Sequence, residues 1–372
     1  MSNTRLEQPI KDDANDSISN GNIEREEKKK VESPVFDILH ELNVLSGGHN
    51  AENLECPPPL TPYLNRIVRN PTNTSTEDRM IPKIMHFSMK SRCVPRDLLT
   101  TLKRWEKQLP EHSIFFHDDD AVDRLLALDW HEFPQLQRGL KCVIYRGAMT
   151  IDIWRVLVLW KYGGLYSDID NWPEDMFTES LIPGDTSAWF LTDSWFRPSQ
   201  WFMALQPRHP MLYEMMIEII HNLLNISNIR RPRVVKVTGP EVLAHAYRQF
   251  LTPLSWEKGK DAIERFNVML VGKQNKTVMK VLGNNLSDHS YSARITKDEL
   301  KKLPRILTIK KGYSDVVAYN ETLNMTRHDR IVQESGVLHW EKHIFKNAKK
   351  NRHLTVSCQK YLGRLEKEEA GS

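Results

Sequence analysis

From residue 80 onward, short apolar runs alternate with longer stretches in which apolar residues recur at helical spacing. Residues 81–87 place Ile84, Met85 and Phe87 behind Pro82, which predicts a buried strand. Leu98, Leu99, Leu102 and Trp105 form one stripe with Pro110 just beyond it, which predicts a helix. Residues 112–116 predict a second strand, running into Asp118, Asp119 and Asp120. Strand, helix, strand at this spacing is a βαβ unit, so the expected class is α/β, a mostly parallel sheet flanked by helices. A long apolar pattern over 143–162 predicts a core helix, stopped by Gly163 and Gly164 and followed by a strand over 165–170. Further strands are expected over 188–191, 201–205 and 267–271, with a helix over 209–224 and another from about Gly239. The sequence contains no internal repeat.

Residues 1–79 break this pattern. Charge runs, the prolines Pro57, Pro58 and Pro59 and a polar cluster over 70–76 give a composition too poor in apolar side chains to offset chain entropy. They are expected to form a stem or linker, except for an amphipathic piece over 35–45 that could be helical or pack on the domain. The folded domain is expected over 80–345, followed by a basic tail over 346–372 that includes Lys349, Lys350 and Arg352. With 372 residues, 40% hydrophobic and 27% charged, the chain has the composition of a globular protein. A net charge of only +4 gives no reason to expect a nucleic-acid partner. No apolar run reaches the roughly 18 residues of a membrane span, so membrane attachment is expected only through a segment outside this chain. Cys56, Cys93, Cys142 and Cys358 lack the short paired spacing of a zinc site, and their even number permits two disulfides in an oxidising compartment. Acceptor triplets for glycans at Asn15, Asn73, Asn225, Asn275, Asn285, Asn320 and Asn324 point towards the secretory pathway.

The chemistry concentrates at Asp168 and Asp170. On a strand their side chains would leave the same face, at the carboxyl end where open α/β sheets bind ligands. Paired carboxylates suit a hard divalent cation whose remaining ligands are phosphate oxygens and water. Asp152 and Arg155 share a face of the preceding helix, within an otherwise apolar stripe. A charge in that setting needs a partner or a function.

Asp152-x-x-Arg155 followed by Lys161-Tyr162-Gly163-Gly164-Leu165-Tyr166-Ser167-Asp168-Ile169-Asp170 resembles the signature of glycosyltransferase family 32, which holds fungal-type initiation-specific α-1,6-mannosyltransferases. The family shares its core with clostridial toxin glucosyltransferases. Residues 81–86, the Gln200-Trp201 and His209-Pro210 pairs and Thr238-Gly239-Pro240 match as well. The resemblance covers about residues 81–250.

It implies a GT-A nucleotide-sugar-binding fold and retaining transfer with Mn²⁺ or Mg²⁺. Asp170 would ligate the metal and Asp168 would hold ribose or metal, while Asp152 and Arg155 would grip the donor. Tyr166 would line the donor pocket, His86 and Phe87 would sit near base and ribose, and His339 would complete the metal shell. The expected enzyme is a Golgi α-mannosyltransferase, membrane-anchored in full-length form, moving mannose from GDP-mannose to a glycan or glycolipid acceptor. The alternatives are a UDP-sugar-dependent glucosyl-, galactosyl- or N-acetylglucosaminyltransferase, or a catalytically silent glycan-binding protein. The family's usual segment after the late histidine is absent here, where Glu341, Lys342 and His343 follow Trp340.

Overall fold

The computed structural model describes residues 34–48, 53–68, 79–145, 147–173, 177–182, 184, 186–192, 198–251, 278–282, 290–291, 309–310 and 348–371. In chain order, the first elements are α1 (Pro34–Ser46), β1 (Thr61–Pro62), β2 (Ile84–Ser88), β3 (Cys93–Val94), α2 (Arg96–Gln108) and β4 (Ser113–His117). Next come α3 (Asp119–Leu126), α4 (Leu136–Leu140), α5 (Ala148–Tyr162), β5 (Gly164–Ser167), β6 (Trp172–Pro173), β7 (Thr186–Thr192) and β8 (Pro198–Leu205). The remainder are α6 (Pro210–Leu224), α7 (Val234–Val237), α8 (Pro240–Leu251), β9 (Val278–Leu282), β10 (Ser290–Tyr291), β11 (Ile309–Lys310) and α9 (Cys358–Gly371).

Seven strands form the central sheet in the order β10-β9-β7-β8-β5-β2-β4. Pairing is parallel between β2 and β4, β2 and β5, and β7 and β9, so five strands run one way while β8 and β10 oppose them. The expected α/β class, with helices on both sides of a mostly parallel sheet, is what forms. Strand alternation sorts the core into two layers. Ile84, Phe115, Tyr166, Phe190 and Met203 pack with α1, α3, α5 and α6, whereas Met85, Phe87, Ile114, Phe116, Leu165, Trp189 and Phe202 pack with α2.

The turn from α5 into β5 needs glycine at two successive positions. Gly163 and Gly164 have φ of +65° and +96°, and a Cβ on Gly164 would lie 2.5 Å from the Ile84 carbonyl oxygen. This close approach lets α5 feed directly into a strand wedged between β2 and β8.

The domain extends beyond the expected boundaries at both ends. α1 buries Leu39, Leu42 and Leu45, and Arg66 pairs with Ile114 by reciprocal backbone hydrogen bonds of 2.9 and 2.7 Å that cover the edge of β4. Arg92, only 4% exposed, donates to the carbonyls of Ser46, Tyr63 and Phe116 and to Asn65 Oδ1. Cys56 is disulfide-bonded to Cys93. The amphipathic piece over 35–45 is thus a helix packed on the domain, and residues 53–68, expected as stem, are packed structure as well. Average composition hides how a few well-spaced leucines and one buried guanidinium can hold a polar segment in place.

At the other end, Cys142–Cys358 ties α9 to the chain after α4, and Leu362 is buried against α6 and its neighbours. The basic tail is thus a docked helix over much of its length. The strand expected over 267–271 lies outside the described residues.

His86, His112, His117 and His209 are fully buried. Burial pushes His86 down to about 4, partly offset by its hydrogen bond to the Gly163 carbonyl. It pushes His209 to about 3, and His112 to about 3 with help from Arg79, Lys83 and Arg66. His117 falls well below the ordinary range, through burial and the facing His86. A folded value below the unfolded value of about 6.5 means that acid favours the unfolded chain, which binds the extra protons. This contribution is complete above pH 6.5 and is lost progressively as pH falls from there towards about 4. Urea titrations at pH 7.5 and pH 5 are expected to show a stability loss of about 1–2 kcal/mol per histidine at the lower pH. An unchanged midpoint would contradict the burial assignment.

Candidate active site

α5 carries Asp152 and Arg155, and Arg155 reaches Asp168 just past β5 and the Gln200 carbonyl on β8. Asp152 and Arg155 are 6% and 8% exposed, and Arg155 Nη2 lies 3.3 Å from Asp152 Oδ1. Arg155 Nη1 reaches Asp168 Oδ1 at 3.2 Å and donates to the Gln200 carbonyl at 2.8 Å. The guanidinium lies over the Tyr166 ring, 4.5 Å from its centroid. Tyr166 in turn donates its hydroxyl proton to Asp168 Oδ1 at 2.6 Å. One buried cation thus joins two carboxylates from different elements, and a phenol fixes the second carboxylate.

Burial pushes Asp152 up to about 6, against the opposing pull of Arg155 and of the Thr238 hydroxyl, which donates to Asp152 Oδ2 at 2.8 Å. Burial would weaken the Arg155 charge, but Tyr166, Asp168 and Asp152 outweigh it and drive its pKa upward.

Asp168 and Asp170 do not leave a strand side by side as expected. β5 ends at Ser167, and residues 168–170 enter a turn closed by Asn171 N–H donating to the Asp168 carbonyl at 3.1 Å. The buried Asn171 side chain holds that turn, donating to Ser167 Oγ at 3.0 Å and to the Trp201 carbonyl at 2.9 Å. The amide competes successfully with further strand pairing. Both carboxylates remain partly exposed there.

Among the described residues, no group of three or more His, Cys, Asp or Glu forms a metal cage by itself. The all-oxygen donors of Asp168 and Asp170, reached by solvent, fit a Mg²⁺ or Mn²⁺ ion that completes its shell with phosphate oxygens and water. His339 lies outside the described residues.

His86 and Phe87 do not reach a ligand surface. His86 is closed in by Gly163 and by His117, whose Nε2 is 3.2 Å from His86 Nδ1, and Phe87 packs on Trp105. Strand alternation sends one side chain beneath α5 and the other beneath α2, so both serve as core. Trp201 is also core, while Gln200 links its Nε2 to the Thr238 carbonyl at 3.0 Å. The roles of Thr238 and Asn171 escaped the sequence reading. Their only signals are a threonine at a Gly-Pro helix start and an amide directly after the acidic turn.

The site lies within a family match: residues 95–188 match the family described as the glycosyltransferase sugar-binding region containing DXD motif. That span carries Asp152, Arg155, Asp168 and Asp170. The particular relatives are fungal. The chain is 23% identical over 181 residues to mannosyl phosphorylinositol ceramide synthase CSH1 of Saccharomyces cerevisiae, covering 49% of this chain and 46% of that protein. It is 25% identical over 191 residues to inositol phosphoceramide mannosyltransferase 3 of Schizosaccharomyces pombe, covering 50% and 49%. The chain spans about half the length of the curated relatives it matches. Among solved structures, the PaToxG glycosyltransferase aligns with a TM-score of 0.35 and 16% identity over 65% of this chain and 84% of that one.

Proposed function

We propose that this chain is the catalytic part of a metal-dependent retaining mannosyltransferase that uses GDP-mannose and acts on a glycolipid acceptor of the inositol phosphoceramide kind. The observation that carries the reading is the buried Asp152–Arg155–Asp168 cluster beside the Asp170 turn. Asp170 and Asp168 would hold the divalent cation, with His339 as a further ligand; the cation would offset the negative charge of the departing diphosphate. Arg155 is fixed in advance between its partners, so it presents positive charge to the diphosphate without reorganising. Asp152 orients Arg155 and offers acceptors to donor-sugar hydroxyls. No side chain in the cluster is set up as a nucleophile displaced from the carboxylate turn, which favours a front-face reaction in which the leaving phosphate takes the acceptor proton. The relatives named for inositol phosphoceramide support the lipid acceptor, and two disulfides support an oxidising, secretory compartment such as the Golgi.

The test is nucleotide release from a panel of GDP- and UDP-sugars with Mn²⁺, with and without inositol phosphoceramide, comparing the intact protein with Asp170→Ala. Turnover of GDP-mannose that requires the metal, rises with the lipid and falls at least about 100-fold in the variant is the expected result. Turnover of a UDP-sugar instead would replace the donor. Nucleotide binding without any turnover would leave a silent sugar-binding protein.

A further inference from the structure

Two segments distant in sequence abut on the surface beyond α6. Ile229 N–H donates to the Val356 carbonyl at 3.0 Å, and Cys358 N–H donates to the Ile226 carbonyl at 2.8 Å. Arg230 reaches across to the Ala348 carbonyl and to Thr355 Oγ1. Neither segment contains an acid: there is no Asp or Glu over residues 226–240 or 348–365. Arg231, Arg233, Lys349, Lys350 and Arg352 are all exposed. Lys236 is the member of this surface that meets a carboxylate, 3.8 Å from Glu241. Among the described residues, the result is a surface of concentrated positive charge on a chain whose net charge is only +4.

Charge of one sign held together by backbone pairing stores repulsion that an anionic partner would relieve. Two features narrow the partner. Val235, exposed at 36%, projects from the middle of the basic stretch and gives an apolar contact beside the cations, the combination suited to an interface of headgroups and acyl chains. The same stretch runs through α7 into Thr238, whose hydroxyl holds Asp152. The basic surface is therefore joined to the active site by one short helix.

We propose that this surface, formed by residues 230–236 and 349–352, docks the protein on a bilayer bearing anionic phosphate headgroups and so presents the lipid acceptor to the site. The lipid acceptor belongs to the reading above, whereas docking needs neither donor nor transfer, so the two can fail separately. Each cation acts through long-range attraction to a charged plane rather than through a shaped pocket, which makes the contact additive and sensitive to salt.

The experiment is co-sedimentation of the whole chain with vesicles of phosphatidylcholine alone or with added phosphatidylinositol, at low and high salt. Binding is expected to be at least about tenfold tighter to the anionic vesicles, and to be lost at about 0.5 M salt. Combined Arg231→Glu, Arg233→Glu, Lys349→Glu and Lys350→Glu should abolish that preference with an unchanged melting temperature and unchanged turnover of a water-soluble acceptor. If the combined variant unfolds, Lys349→Gln with Lys350→Gln, both on exposed positions, should still weaken binding severalfold. Equal binding to neutral vesicles, no loss on charge reversal in a folded variant, displacement by free inositol phosphate, or binding to RNA or heparin without binding to vesicles would each overturn the proposal.

Discussion

Arg155→Met is expected to damage the protein twice over, in stability and in catalysis. The side chain is buried between Asp152 and Asp168 and donates to the Gln200 carbonyl. Methionine fills much of the space, yet it leaves the Asp152 carboxylate inside the protein with the Thr238 hydroxyl still donating to it. Removing one member of a buried ion pair costs about 3–5 kcal/mol, because Asp152 is left either as an uncompensated charge or as a carboxyl that must take up a proton. The same change removes the fixed cation proposed to meet the diphosphate, for a further loss of about 100- to 1000-fold in turnover. Denaturant unfolding and the nucleotide-release assay read the two effects independently. Asp152→Asn in the same chain should recover much of the stability and none of the activity, since it removes the stranded charge without restoring the cation. Equal instability of the single and double variants would mean that packing, and not charge, governs the site.

The second large effect is expected from Cys142→Ser with Cys358→Ser. This disulfide joins positions 216 residues apart, so it closes a long loop running from the chain after α4 to α9 in the unfolded state. The chain-entropy relation gives up to about 5 kcal/mol for a loop of that size, against about 4 kcal/mol for the 37-residue separation of Cys56–Cys93. The variant also frees α9, whose Cys358 and Leu362 contribute to the core. Chemical unfolding should show the midpoint falling more for the Cys142/Cys358 pair than for a Cys56→Ser, Cys93→Ser variant. The opposite order would place the main stabilisation in the N-terminal bridge.

The central elements were legible because they obey simple periodicities. The stripe of Leu98, Leu102 and Trp105, the Gly163-Gly164 stop and the apolar runs of β2, β4 and β8 each carry their own signal. Asp152 and Arg155 were legible for a different reason: charges in an apolar helix stripe demand partners, and they have them. The Asp168–Asp170 turn was not, because alternation holds only while strand pairing continues, and the Asn171 amide ends it. The ligand role that the resemblance implied for His86 is not what the structure shows. A histidine can be satisfied inside a core by one carbonyl and a second histidine, and nothing in the local sequence announces that Gly163 and His117 will supply them. Thr238 is 86 residues from Asp152, and a contact at that distance leaves no mark in a periodic pattern.

Arg92 gives the N-terminal boundary a physical meaning. Its guanidinium has been taken out of water and rehydrated, in effect, by protein carbonyls, two of which belong to Ser46 and Tyr63. Those two residues therefore act as a fixed solvation shell for a cation that lies 29 to 46 positions further along the chain. A version of the protein trimmed at residue 80 would return part of that shell to bulk solvent while keeping the ion in place. The packed structure therefore reaches back to where one buried charge finds its ligands, well upstream of Asp152 and Asp168.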